Sequence, residues 1–190
     1  MRRSLLALVA GVLLTACNQG GGDQGSAPAT AAPNDTDVTF TQNMIPHHQQ
    51  AIEMASLVDS HTQRPQLRTL ADRIAATQGQ EVTLLQGWLQ DWGKPATPQG
   101  MDHGGMQMPG MMNETDMRQL IATKHHGFDL MFLDMMAAHH QGAIDMATTE
   151  LRDGALPEVK QLAQQIIDTQ QAEIDRFQQW QKEWATAPIR

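Results

Sequence analysis

The apolar residues of this chain recur at intervals of three and four positions, which is the spacing of one face of an α-helix. Between residues 36 and 60 they form a single stripe: Phe40, Met44, Ala51, Ala55 and Val58. A second apolar stripe follows Pro65, a residue that the first turn of a helix accepts because the N–H it lacks would be unpaired there. Strand-like alternation of apolar and polar residues is missing, so the pattern predicts an all-α fold.

This helical pattern occurs twice along the chain. Residues 37–92 align on residues 129–184 without a gap, and 20 of the 56 aligned positions are identical. Identity on this scale indicates a duplicated helical hairpin. In the second copy, Gly154 is expected to end the first helix and Pro157 to begin the next. Two such hairpins predict a four-helix bundle with pseudo-two-fold symmetry.

The N-terminal segment differs in composition from the repeats. Residues 1–17 begin with two arginines, continue with a short apolar run and end with small residues before Cys17. The run is shorter than the ~20 residues that cross a membrane, so it predicts a lipoprotein signal peptide with Cys17 as the lipidation site. Residues 18–36, rich in Gly, Ala and Pro, predict a flexible linker to a bundle domain at residues 37–186.

A segment rich in Gly and Pro joins the two copies of the repeat. Residues 93–113 are therefore predicted to form a loop, and residues 114–124 a short additional helix with Asn113 as its N-cap. The loop holds six sulfur- or imidazole-bearing residues: Met101, His103, Met106, Met108, Met111 and Met112. Methionine usually fills gaps in a core, but Gly and Pro prevent a regular element that would bury these residues together.

The charge of the chain limits its partners. There are 13 basic and 21 acidic residues in the whole sequence, a formal net charge of −8. Loss of residues 1–16 would remove Arg2 and Arg3, leaving 11 basic residues and a net charge of −10. This balance disfavours nucleic acid and anionic membrane surfaces as partners, so any membrane attachment would depend on the lipid.

Each copy of the repeat contains two adjacent histidines, in MIPHHQQAIEMA at 44–55 and MAAHHQGAIDMA at 136–147. Helical spacing places His48 on the stripe of Met44, whereas His47 lies about 100° away around the helix. We therefore expect one histidine of each pair to point into the bundle and the other toward a seam between helices. Across the hairpin, His48 should lie level with residues 76–78 and Met44 level with Glu81.

Two interpretations of these histidines stay open at this level. In the first, they form a polar layer with Gln78 and Glu81, and with Gln170 and Glu173, because a buried carboxylate requires a partner. In the second, the same four residues orient histidines that bind a metal. The duplicated candidate ligands are then the residues of both motifs: His47, His48, His139, His140, Met44, Met54, Met136 and Met146.

The methionines of the loop favour a soft metal ion. Thioether sulfur suits Cu(I), and Ag(I) should bind the same ligands as a surrogate. A thiolate site is excluded because Cys17 is the only cysteine, and the adjacent histidines do not have the spacing of a zinc site. The alternative is a methionine-rich linker that binds nothing.

With these motifs assembled, the sequence resembles the bacterial family catalogued as domain of unknown function 305. Its members show paired M-x-x-HH-x-x-A-I-x-M-A segments in a ferritin-like helical bundle, and some are associated with copper handling in the periplasm. The resemblance extends from Asp37 to about Trp184 and implies the same ferritin-like four-helix bundle here. It marks six residues as candidate copper ligands: His47, His48, His139, His140, Met44 and Met136.

Three hypotheses of function follow. The first is an exported, lipid-anchored protein that binds copper as Cu(I) for sequestration, tolerance or transfer, with other copper-handling proteins of the cell envelope as partners. The second is an envelope adaptor without a metal, whose His/Glu layer is structural. The third is a ferritin-like di-iron oxidase, which requires Glu-x-x-His motifs that this chain lacks. We therefore expect a binding protein that is not an enzyme.

Overall fold

The computed structural model describes residues 32–97 and 108–186. The predicted signal peptide, Cys17, Met101, His103 and Met106 lie outside the described residues. Within these residues the chain forms five helices and no strand: α1 Asp35–His61, α2 Pro65–Asp91, α3 Glu114–Ala122, α4 His125–Asp153 and α5 Pro157–Ala185. The predicted all-α fold is confirmed. None of the described helices combines the length and the hydropathy of a membrane span.

The two hairpins correspond to the two aligned segments of the sequence. Helix α1 packs on α2, α4 packs on α5, and α1 and α4 pack on each other. The predicted signals for the helix ends are present: Pro65 and Pro157 begin α2 and α5, and Gly154 follows the end of α4. The side chain of Asn113 caps α3, which ends two residues earlier than expected.

Two apolar clusters share the interior, and a polar layer separates them. Along α1, one cluster contains Phe40 and Met44 and the other begins at Ala51, so the adjacent histidines lie between them. Along α4 the order is reversed: Met136 belongs to the cluster of Ala51 and Ala143 to the cluster of Phe40, again with the histidine pair between them. The layer therefore lies midway along the bundle, with apolar packing on both sides that excludes water.

Buried carboxyl groups connect α1 to the second hairpin. Asp37 is fully buried, and its carboxylate accepts backbone N–H bonds from Ala155 and Leu156 at 3.0–3.2 Å. Glu150 is also fully buried, and a Cβ on Gly154 would collide with its carboxyl group. Burial of Glu150, together with the nearby Asp37 carboxylate, raises the pKa of Glu150 from 4.5 to about 8. Glu150 is therefore protonated at neutral pH.

This pKa predicts a dependence of stability on pH that Glu150→Gln should remove. Between pH 4.5 and about 8 the folded protein holds a proton that the unfolded chain has lost, so the free energy of unfolding falls as pH rises through that range. In urea titrations, the free energy of unfolding of wild type should fall by about 2 kcal/mol from pH 6.5 to pH 8, relative to that of Glu150→Gln. The exposed Glu158→Gln serves as the control and should follow wild type. Parallel curves for all three proteins would contradict the prediction.

Candidate metal centre

Four histidine side chains occupy the polar layer, two from α1 and two from α4. His47, His48 and His140 have no exposed surface, and His139 is 1% exposed. The sequence predicted that one histidine of each pair points into the bundle and the other toward a seam between helices. The structure shows this division, and the seam is the α1–α4 contact, where His47 and His139 are buried as fully as the other two.

Within each hairpin, one histidine bonds to a glutamate of the partner helix. His48 Nε2 lies 2.7 Å from Glu81 Oε2, and His140 Nε2 lies 2.7 Å from Glu173 Oε2. The sequence placed His48 level with residues 76–78, one turn away from Glu81. The difference arises because side chains lean toward the N-terminus of their own helix, so these two side chains approach each other in an antiparallel pair.

Between the hairpins, the other two histidines meet each other. The ring centroids of His47 and His139 are 3.8 Å apart, with the planes inclined by 37°. Burial, together with the neighbouring His48 ring, lowers the pKa of His47 from 6.5 to about 3. Burial and the nearby His47 ring likewise hold the pKa of His139 well below 6.5. Both rings are therefore neutral at pH 7, which is the form of histidine that binds metals.

Several ring nitrogens of this layer lack hydrogen-bond partners. The set comprises Nδ1 of all four histidines and also Nε2 of His139. A buried polar atom without a partner costs about 1–3 kcal/mol and is rare in native proteins, so a concentration of such atoms in one layer requires an explanation. A neutral imidazole nitrogen with a free lone pair can supply that explanation by binding a cation.

The end of the methionine-rich loop packs over this layer. His47 Nε2 lies 3.1 Å from the carbonyl oxygen of Pro109. Gln50 bonds twice to the backbone of Met112: its Nε2 donates to the carbonyl oxygen at 2.8 Å, and its Oε1 accepts from the N–H at 2.7 Å. Residues 108–112 are therefore fixed against α1, beside the histidines.

Two glycines permit this close approach to α4. Gly110 has φ +75°, and a Cβ there would lie 2.6 Å from the carbonyl oxygen of Ala138. A Cβ on Gly142 would lie 2.0 Å from the carbonyl oxygen of Pro109. Sequence reasoning missed this contact, although a signal was present. Gln50 and Gly142 are aligned positions that differ inside the otherwise similar motifs HHQQAI and HHQGAI.

Some of the methionines predicted as ligands lie near the histidine pairs, and others lie further along the helices. Met44 and Met136 are fully buried one turn before the histidine pairs, and Met108, Met111 and Met112 are half-buried. Two others lie seven residues, or about 10 Å of helix axis, beyond the seam histidines: Met54 in the core and Met146 in a surface groove of about 340 Å³. Among the described residues, no three His, Cys, Asp or Glu side chains converge on one point.

The predicted glutamines lie beside the glutamates, between α2 and α5. Gln78 and Gln170 are each 3% exposed and line the space between α2 and α5 together with Glu81 and Glu173. Among the described residues neither glutamine hydrogen-bonds to a histidine, and the Oε1 atom of each has no partner. The polar layer thus extends across the bundle from residues 108–112 to the α2–α5 space.

Solved structures of similar proteins include copper-bound and silver-bound forms. CopM in the Cu(I)-bound form is 32% identical to this chain, with a TM-score of 0.65, and the match covers 78% of this chain and 96% of CopM. CopM in the Cu(II)-bound form is 34% identical, with a TM-score of 0.68 and coverage of 78% and 97%. Silver-bound forms of CopM also match. A comparison with curated proteins found no match.

Another relative is a protein of Streptomyces coelicolor that is described as secreted. It is 30% identical, with a TM-score of 0.74, and the match covers 82% of this chain and 97% of the relative. The model of the family "Domain of unknown function (DUF305)" matches residues 37–181. These matches confirm the resemblance seen in the two motifs. The chain belongs to the DUF305 family.

Proposed function

We propose that this protein binds copper as Cu(I) and sequesters it or passes it on, without catalysing a reaction. The observation that carries the proposal is the buried His47–His139 pair, whose rings are neutral and retain unpartnered nitrogens. The copper-bound and silver-bound structures of CopM support the choice of metal. Ag(I) should bind the same site, because its charge and softness resemble those of Cu(I).

The ligands fit a soft monovalent ion. His47 and His139 would supply imidazole nitrogen, and methionines of the packed segment 108–112 would supply thioether sulfur. All of these ligands are neutral, so the site would carry only the single charge of Cu(I) into the interior, which costs less than burying a divalent ion. His48 and His140 already bond to glutamates and would orient the layer around the pair.

We also propose that the protein acts outside the cytoplasm and is lipid-anchored through Cys17. The signal-like residues 1–17 and the secreted relative support export. In an oxidising compartment, thioether and imidazole ligands persist where a thiolate would be lost to a disulfide. The protein partners would be other copper-handling proteins of the envelope.

The alternative of a metal-free adaptor has one observation in its favour. His48 and His140 are paired with Glu81 and Glu173 without any ion, as a structural layer requires. That explanation does not account for His139, in which neither ring nitrogen has a partner. A substitution at His139 therefore separates the two functions.

We predict that His139→Leu weakens copper binding but does not destabilise the metal-free protein. A leucine of similar size removes two buried nitrogens that lack partners, so the melting temperature should stay the same or rise. Loss of a ligand should weaken Cu(I) binding at least about tenfold, measured anaerobically by competition with a chromogenic chelator. The exposed His125→Leu is the matched control. Unchanged copper affinity in His139→Leu, or no competition by wild type at submicromolar free copper, would overturn the proposal.

A second prediction concerns pH. Because the pKa of His47 is about 3 and that of His139 is also lowered, protons compete with copper at these rings only below the pH range in which exposed histidines titrate. The Cu(I) affinity should change less than about threefold between pH 7 and pH 5. A site made of two histidines of ordinary pKa 6.5 would lose about a thousandfold in Cu(I) affinity over the same range. A large loss by pH 5 in the same competition assay would contradict burial of the ligand pair.

A third prediction tests the sulfur ligands. Met111→Leu combined with Met112→Leu conserves side-chain volume, so the melting temperature should change little, while the Cu(I) and Ag(I) affinities should fall at least about tenfold. Met117→Leu with Met131→Leu, also half-buried, is the matched control. Equal affinities for the two double variants would show that residues 111 and 112 supply no ligand.

A further inference from the structure

A separate polar space lies between α2 and α5, and symmetry-related residues line it. Its polar lining comes in three matched pairs, one member from each hairpin: Thr77 and Thr169, Gln78 and Gln170, Glu81 and Glu173. The enclosed volume is about 10 Å³, which is room for one water molecule or one ion. No lysine or arginine is among its lining residues.

The polar groups of this lining are oxygen-rich and incompletely satisfied. Gln78 and Gln170 are each 97% buried, and the Oε1 atom of each has no hydrogen-bond donor. Glu81 and Glu173 are 14% and 17% exposed, and each engages one carboxylate oxygen with a buried histidine. Two amide carbonyls and two carboxylates thus line a small space that no lysine or arginine lines, and each carboxylate has only one histidine as a partner.

We propose that this space binds one hard divalent cation, with Ca²⁺ as the best fit. Carboxylate and amide carbonyl oxygens are typical Ca²⁺ ligands, and Ca²⁺ tolerates an irregular shell that Mg²⁺ does not. Cu(I) is excluded by its preference for nitrogen and sulfur ligands. This space shares no direct ligand with the proposed copper site, so the melting-temperature test below does not require copper.

The cation should raise the melting temperature of the purified protein. A Ca²⁺ dissociation constant of 10⁻⁴–10⁻³ M predicts a rise of about 3–10 °C at 10 mM CaCl₂, relative to NaCl of equal ionic strength. Gln78→Leu combined with Gln170→Leu should abolish this rise without lowering the melting temperature in NaCl, because two unpartnered buried carbonyls are removed. The control is Gln86→Leu with Gln178→Leu, exposed positions eight residues further along the same helices, which should retain the full rise.

A second measurement locates the ion and covers the case in which the leucine variant does not fold. Mn²⁺, used as a paramagnetic probe, should broaden backbone NMR signals of residues 74–81 and 166–173 first. Glu81→Gln with Glu173→Gln keeps the shape and a hydrogen-bond acceptor for each histidine but removes two charges, and should abolish both effects. If the space holds a water molecule and no cation, the melting temperature will be equal in CaCl₂ and NaCl, and the proposal is overturned. Broadening elsewhere, or a wild-type Ca²⁺ response in both site variants, would also overturn it.

Discussion

Four imidazole rings are buried in the middle of the bundle, and each has to be either neutral or paired with an acid. A charged imidazolium cannot be left there without a partner, so the rings at the α1–α4 contact remain neutral and their pKa values are low. His48 and His140 instead bond to Glu81 and Glu173 on the outer helices. These two bonds fix the register of each hairpin, since a shift by one residue would separate both partners.

Apolar packing on both sides of the histidine layer excludes water from it. One apolar cluster lies toward the α1–α2 turn and the other toward the α4–α5 turn, so apolar side chains cover the histidines toward both ends of the bundle. In so dry a layer, electrostatic interactions are strong, and the net charge of any bound ion matters. A neutral ligand set therefore discriminates by charge as well as by softness, and both properties favour Cu(I) over a divalent metal in the proposed function.

The sequence was sufficient to predict the elements that depend on local chemistry and on periodicity. Pro65 and Pro157 mark helix starts by the same backbone rule, and Asn113 caps α3 as its side chain suggests. The contact between His48 and Glu81 was predicted one helical turn away from where it occurs, because counting residues across a turn neglects the direction in which side chains lean. Contacts of residues 108–112 were not predicted, because the difference between Gln50 and Gly142 in the repeat marks two positions without indicating which segment packs against them.

The contact of Pro109 with the histidine layer has a consequence for the duplicated design. The repeat supplies two copies of every helix ligand, but residues 108–112 occur once and lie where the two copies meet. They bond to Gln50 on one side and require Gly142 on the other, and Pro109 provides a carbonyl partner for His47 but none for His139. The two rings are thus chemically unequal despite their common origin. The two repeats therefore share one asymmetric histidine centre and do not form two equivalent, independent centres.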